Sequence, residues 1–303
     1  MTGFSGLRFA GGPCIFISLR FFLSIMPIAP KRSRVVFEEL EQDLVKLSSK
    51  PRSESVHRFR TGTRRLQILL GELSPKLEGS QKKLLKLLGR IRKRAGKVRD
   101  LDVQLAALRS LKSPREPRRK TQLVNHLIDL RARQERKLRK AVDENTVREI
   151  RKRLKRASKN FNPEASGDPL AVAKGMLQTM NRGEAEVTEA LLHRYRTLSK
   201  RARYAAQFAE PSTEASQIIA ALKRIQDALG DWHDWLTLTQ TASERLGEVR
   251  ESSLVAELHN VTGAKFRHAV AVLSQARGAH GAAKPTGNAQ TLTPTRRPSA
   301  TAA

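Results

Sequence analysis

Residues 81–105, QKKLLKLLGRIRKRAGKVRDLDVQL, decide the fold. Leu84, Leu88, Ile91, Ala95, Val98 and Leu105 recur at helical steps and so form one apolar seam, with Asp102 falling on it. Around that seam stand Lys82, Lys83, Lys86, Arg90, Arg92, Lys93, Arg94, Lys97 and Arg99, with no acid among them. Such a helix must pack its seam against other helices, and its charge calls for an anionic partner.

The same periodicity continues on both sides, and no period-two run of β-branched or aromatic residues interrupts it. Upstream, Val36, Leu40, Leu44 and Leu47 make a stripe that ends near Lys50-Pro51, and a second helix spans Ser53 to Leu73. Downstream, Ser113-Pro114 and Pro117 break the chain before a long basic helix expected from Arg118 to Lys159, with sixteen basic residues against five acidic ones. Asn162 to Pro169 reads as a linker between two halves. Helices are then expected near 170–181, 184–210, 213–246 and 249–278. The expectation is an all-α protein: a duplicated, pseudo-twofold bundle of long antiparallel helices, with about four in each half.

Composition bounds the function. The 303 residues carry 58 Lys+Arg against 29 Asp+Glu, a formal net charge of +29, which predicts a polyanionic partner but does not choose between nucleic acid, anionic membrane and polyphosphate. The lone Cys14 excludes an intrachain disulfide framework and a Cys-based zinc site, pointing to a reducing compartment. Ile15 to Ile28 is apolar but interrupted by Arg20, too short for a membrane span. It is also a poor signal peptide, and a start at Met26 is the favoured reading. Domain bounds are therefore placed at 1–33 for an N-terminal extension, 34–278 for the helical body (halves 34–160 and 169–278) and 279–303 for a tail expected to be disordered.

An internal repeat carries the chemistry. His57-Arg58-Phe59-Arg60-Thr61-Gly62-Thr63-Arg64-Arg65 aligns with His193-Arg194-Tyr195-Arg196-Thr197-Leu198-Ser199-Lys200-Arg201. A second match follows in each half, Ala95-Gly96-x-x-x-Asp100 against Leu229-Gly230-x-x-x-Asp234. His57, Arg60 and Arg64 lie at i, i+3 and i+7 and share a helical face, as do His193, Arg196, Lys200 and Arg203. Each motif helix is apolar on the opposite side. A lone histidine would read as a packing residue; its recurrence within two cationic stripes favours a binding role. For Arg65 and Arg201 phosphate contact and an internal ion pair weigh equally. Asp100, Asp102 and Asp234 read as ion-pair partners for arginines, since buried charges are costly unless paired. Trp232 and Trp235 are expected in the bundle, and His126, His233, His259 and His268 fit no metal-ligand spacing.

Four motif pieces in this order, over roughly residues 35 to 278, resemble the CHAD family, the conserved-histidine α-helical domain. The resemblance implies a pseudo-twofold helical bundle with a basic central surface or pore that binds inorganic polyphosphate; some members are fused to triphosphate tunnel catalytic domains. The expected contact set is His57, Arg60, Arg64, Arg65, Arg90, Arg94, Lys97, His193, Arg196, Lys200, Arg201 and Arg203. No catalytic residue, metal or cofactor is expected. There is no phosphate loop, and Glu184-Ala185-Glu186-Val187-Thr188 lacks the lysine of an E-x-E-x-K pattern. Forked guanidinium donors and ammonium groups in a row suit a base-free chain of phosphates, and histidine protonation should tighten binding as pH falls. The competing readings are a nonspecific nucleic-acid binder, an enzyme acting on polyphosphate or nucleoside triphosphate or an accessory module for their metabolism, and peripheral membrane attachment through the apolar N-terminus. No stable membrane insertion is expected, and the expected location is cytoplasmic, in association with polyphosphate granules.

Overall fold

The computed structural model describes residues 28–111, 116–181, 187–247 and 249–281. Cys14, Met26, residues 282–303 of the tail and the Glu184–Glu186 stretch lie outside the described residues. Within them nine helices and no strand occur: α1 (Pro30–Ser49), α2 (Ser53–Ile68), α3 (Gly79–Ser110), α4 (Pro117–Ala141), α5 (Glu144–Asn160), α6 (Pro169–Asn181), α7 (Glu189–Ala206), α8 (Thr213–Leu246) and α9 (Ser253–Gly281). A π-helical turn, Leu69–Leu73, carries α2 to the end predicted for it.

The apolar seams do what their spacing dictates. Leu84, Leu88, Ile91, Ala95, Val98 and Leu105 of α3 are all buried, as are Val36, Leu40, Leu44 and Leu47 of α1. Packing proceeds in the same order in each half: α1 on α2, α2 on α3 and α3 on α4, then α6 on α7, α7 on α8 and α8 on α9. The halves join where α2 meets α7 and α3 meets α8.

Their cores are not separate. One apolar cluster joins Leu40, Leu66 and Leu88 to Leu170, Tyr204, Phe208 and Ala215, and another joins Leu108 and Leu123 to Leu238 and Leu258. Before α1, Ala29 N–H donates to the Phe208 carbonyl at 3.0 Å, and Arg32 donates to the carbonyls of Gln207 and Ala209 at 2.8 and 3.0 Å. Arg32 thus satisfies carbonyls just past the end of α7, where a cation is favoured. The Gly167 N–H donates to the Leu73 carbonyl at 2.7 Å, pinning the 162–169 linker to the end of the π turn.

One expectation fails. The long basic helix is two helices, α4 and α5, broken at Val142–Asp143, so the first half has five helices and the second four. Asp143 caps α5, its carboxylate accepting from the Thr146 N–H at 2.7 Å. Val142, Ile150, Leu154 and Ala157 are then buried against α3 and α1, which a straight continuation of α4 could not reach. Among the described residues no helix is long and apolar enough to cross a membrane.

Candidate functional site

Helices α2, α3, α7 and α8 converge, and each presents one face to the junction. From α2 come His57, Arg60 and Arg64; from α7, Arg196 and Lys200. Between them the motif acids sit where the repeat predicts: Arg60 reaches Asp100 at 3.2 Å and Arg196 reaches Asp234 at 3.8 Å. Arg60 also donates to the Gly96 carbonyl at 3.3 Å, so the glycine and the acid of the second motif are both read by the first.

The α3 face that joins them carries Arg92 and Arg99. Arg92 lies in the field of Arg64 and Arg60, while Arg99 stands beside His57 and donates to Ser53 Oγ at 3.1 Å. Six cations (Arg60, Arg64, Arg92, Arg99, Arg196 and Lys200) therefore surround two carboxylates. The excess positive charge is partly desolvated: Arg92 Nε and Arg196 Nε are buried without a hydrogen-bond partner among the described residues.

Electrostatics follow from this crowding. Burial, then the fields of Arg196 and Arg64, push the Lys200 ammonium down to about 7, against only the nearby Asp234 carboxylate. Burial likewise works against the charges of Arg64 and Arg196. His57 keeps an exposed edge, yet desolvation and the fields of Arg99, Arg60, Arg64 and Lys200 hold its imidazole below the usual histidine range. Asp234 is pushed up by burial despite Arg196 beside it.

Two cavities flank the cluster, and Lys200 lines both. One, of about 480 Å³, is walled by Arg64, Arg92, Arg196, Arg201 and Tyr204. The other, of about 960 Å³, has His57 and Asp234 at its margin and Leu177, Met180, Ile225 and Leu273 in its wall.

Several expected contacts lie elsewhere. Arg90, Arg94 and Lys97 are exposed on the side of α3 turned away from Arg92 and Arg99. Arg65 pairs with Glu39 of α1 at 3.6 Å, and Arg203 lies over the Tyr204 ring at 5.7 Å. Arg201 is paired with Glu72 while still lining the smaller cavity. Asp102 does pair with an arginine, but with Arg131 of α4 at 2.6 Å rather than with a motif residue. His193 is not a free member of a cationic row: its ring packs on Trp232 at 4.8 Å and on His233 at 5.1 Å.

The sequence reading missed Arg92, Arg99, His233 and Tyr204. A signal existed, because Arg92 stands one turn before Gly96, and Arg99 and His233 immediately precede the two motif acids. His233, half-buried beside Arg196 and His193, is pushed down to about 3 by burial and their fields and is neutral at physiological pH. Trp232 is fully buried and Trp235 half-buried in the bundle, as expected.

Fold and site together define an all-helical protein whose repeated basic motifs meet in one charged junction. The family model described as CHAD domain matches residues 37–243, and the chain belongs to that family. A solved structure, the crystal structure of the CHAD domain from the plant Ricinus communis, superposes with a TM-score of 0.60 at 18% identity, covering 86% of this chain and 94% of that one. At that identity the likeness concerns the fold. A search among curated proteins returns no match.

Proposed function

We propose that the junction of α2, α3, α7 and α8 binds inorganic polyphosphate and catalyses no reaction on it. The observation that carries this reading is the excess of six cations over two carboxylates, drawn from both copies of the repeat, with buried guanidinium nitrogens left without acceptors. Holding like charges together and leaving donors dry both cost free energy. A flexible chain with one negative charge per phosphate and oxygen acceptors on every unit offsets both costs at once. Family membership supports the choice of polyphosphate among polyanions. Among the described residues no row of exposed aromatic rings stands over the cluster, which speaks against single-stranded nucleic acid, gripped largely by base stacking.

Changing Arg60, Arg64, Arg196 and Lys200 together to Gln is expected to abolish polyphosphate binding in calorimetry while far-ultraviolet circular dichroism is unchanged. Retained binding would place the grip elsewhere. Displacement of polyphosphate by duplex DNA at equal charge concentration and matched salt would overturn the specificity. Phosphate release with Mg²⁺ or Mn²⁺ supplied, lost on Asp100→Asn or Asp234→Asn, would overturn the non-catalytic reading.

A further inference from the structure

Of the six cations in the junction only Lys200 is an amine; the repeat places Arg64 at the matching position of α2. The difference is chemical. A guanidinium delocalises its lone pairs and is a poor nucleophile, whereas a desolvated lysine sheds its proton and becomes a good one. Lys200 is half-buried, and among the described residues its amine makes no hydrogen bond and no ion pair. It lines both cavities, so a small molecule entering either one reaches it.

Every element packed around Lys200 contributes charge or a titratable group. His57, Arg60 and Arg64 come from α2, Arg92 from α3, Arg196 from one turn earlier on α7, and His233 and Asp234 from α8. Asp234 is the one acid of this set, and it is shared with Arg196 at 3.8 Å. Burial, then the fields of Arg196 and Arg64, hold the amine at about 7, so roughly half of it is neutral near physiological pH.

Surroundings that disfavour an ammonium favour an anion in its place. Arg64, Arg92 and Arg196 wall the smaller cavity together with Lys200, and the Nε atoms of Arg92 and Arg196 find no acceptor among the described residues. Carbon dioxide is small and uncharged, and it converts a neutral amine directly into an anion. The carbamate so formed carries two oxygens in carboxylate geometry, which suits guanidinium donors.

We propose that Lys200 is a carbon dioxide-binding site: its amine nitrogen attacks the carbon, one C=O π bond opens onto oxygen to give a carbamate, and an N–H proton leaves to water. The modification puts an anion where a cation stood, between the two cavities, and so opposes polyphosphate there. That consequence rests on the cluster being the polyphosphate site; the carbamate itself does not. At fixed dissolved carbon dioxide, the carbamate fraction should rise with pH through about 7, because the ammonium must first lose its proton.

The test equilibrates the full chain with carbon-13 bicarbonate at about pH 8, where the amine is mostly neutral. A trialkyloxonium salt then fixes carbamates as esters for peptide mass spectrometry. The ester is expected on Lys200 and not on exposed lysines, which lack both the desolvation and the guanidinium wall. It should be lost when carbon dioxide is removed before trapping, or when a saturating long polyphosphate is present. Carbon-13 NMR should show a carbamate signal that disappears in Lys200→Arg. In calorimetry at constant pH and ionic strength, bicarbonate in place of chloride should weaken polyphosphate binding severalfold in the wild type and have no effect in Lys200→Arg. Absence of the ester from wild-type Lys200, or equal trapping on exposed lysines, would overturn the proposal and leave the cluster reading intact, with no variant required to fold. A carbamate on Lys200 that leaves polyphosphate affinity unchanged would instead overturn the cluster reading, because an anion at its centre must repel the chain.

Discussion

The α2–α3 and α7–α8 pairs carry the same motifs yet bring different chemistry to the junction. Aligned on their histidines and glycines, Arg64 corresponds to Lys200, Arg92 to Gln226, Arg99 to His233 and Val98 to Trp232. The first pair thus supplies four guanidiniums, those of Arg60, Arg64, Arg92 and Arg99. The second supplies Arg196, a lysine titrating near neutrality, and two neutral groups. Gln226 spends its amide on the Ser199 carbonyl at 2.7 Å, and His233 is held neutral by burial and neighbouring cations. The bulk of Trp232 beneath the second motif goes with this: more apolar volume at the junction means fewer charges can be accommodated there. What the repeat preserves is the Arg–Asp frame of Arg60–Asp100 and Arg196–Asp234. What it leaves open is how much charge each copy places around that frame.

The sharpest way to break this comparison is through the packing beneath it. Trp232→Ala should destabilise the fold by roughly 3–5 kcal/mol in denaturant unfolding, whereas Val98→Ala at the aligned site should cost less than half of that. Equal losses would mean that the two motifs rest on equivalent cores after all.

The next effect is on binding. Making α3 resemble α8, by Arg92→Gln with Arg99→His, should weaken polyphosphate affinity on the order of a hundredfold, since hydrogen bonds to charged groups contribute about 1.5–3 kcal/mol each. If affinity barely moved, the cations of the motif helices α2 and α7 would be sufficient and the asymmetry without consequence.

The smallest effect separates lysine from arginine. Lys200 titrates at about 7 in the folded chain against 10.5 in the unfolded one, so between those values the unfolded state binds more protons and stability rises with pH. Binding runs the other way, because the polyanion needs the ammonium form: affinity should fall as pH rises past about 7, by no more than about tenfold per pH unit. Lys200→Arg should flatten both trends, measured by thermal unfolding and by calorimetry across pH 6 to 9, about the range that brackets the titration. Wild-type trends that persist in the variant would assign them to another group.

Much of this was legible before the fold. The α3 seam, the α1 stripe, the two motif helices and the pairing of Asp100 and Asp234 with arginines all follow from helical spacing and from the cost of isolated charge. The cations of α3 were not. Lys and Arg surround that helix on every side its seam does not occupy, so its charge pattern has no phase. Arg90, Arg94 and Lys97 were as eligible as Arg92 and Arg99 until α2 and α8 packed against one side. The α4–α5 break escaped for a related reason: strongly basic stretches on both sides of Val142–Asp143 read as one helix and masked the Asp143-x-x-Thr146 cap.

The sequence by itself determined that the chain is helical, that it repeats a His-Arg stripe and a Gly-Asp motif, and that it carries a large excess of positive charge, because periodicity and net charge are properties of the chain alone. Only the tertiary structure decided which cations share a space. Whether a charge is an exposed ornament or one of six crowded around two carboxylates depends on what lies across from it. That in turn is set by long-range packing of apolar faces, which local pattern does not encode.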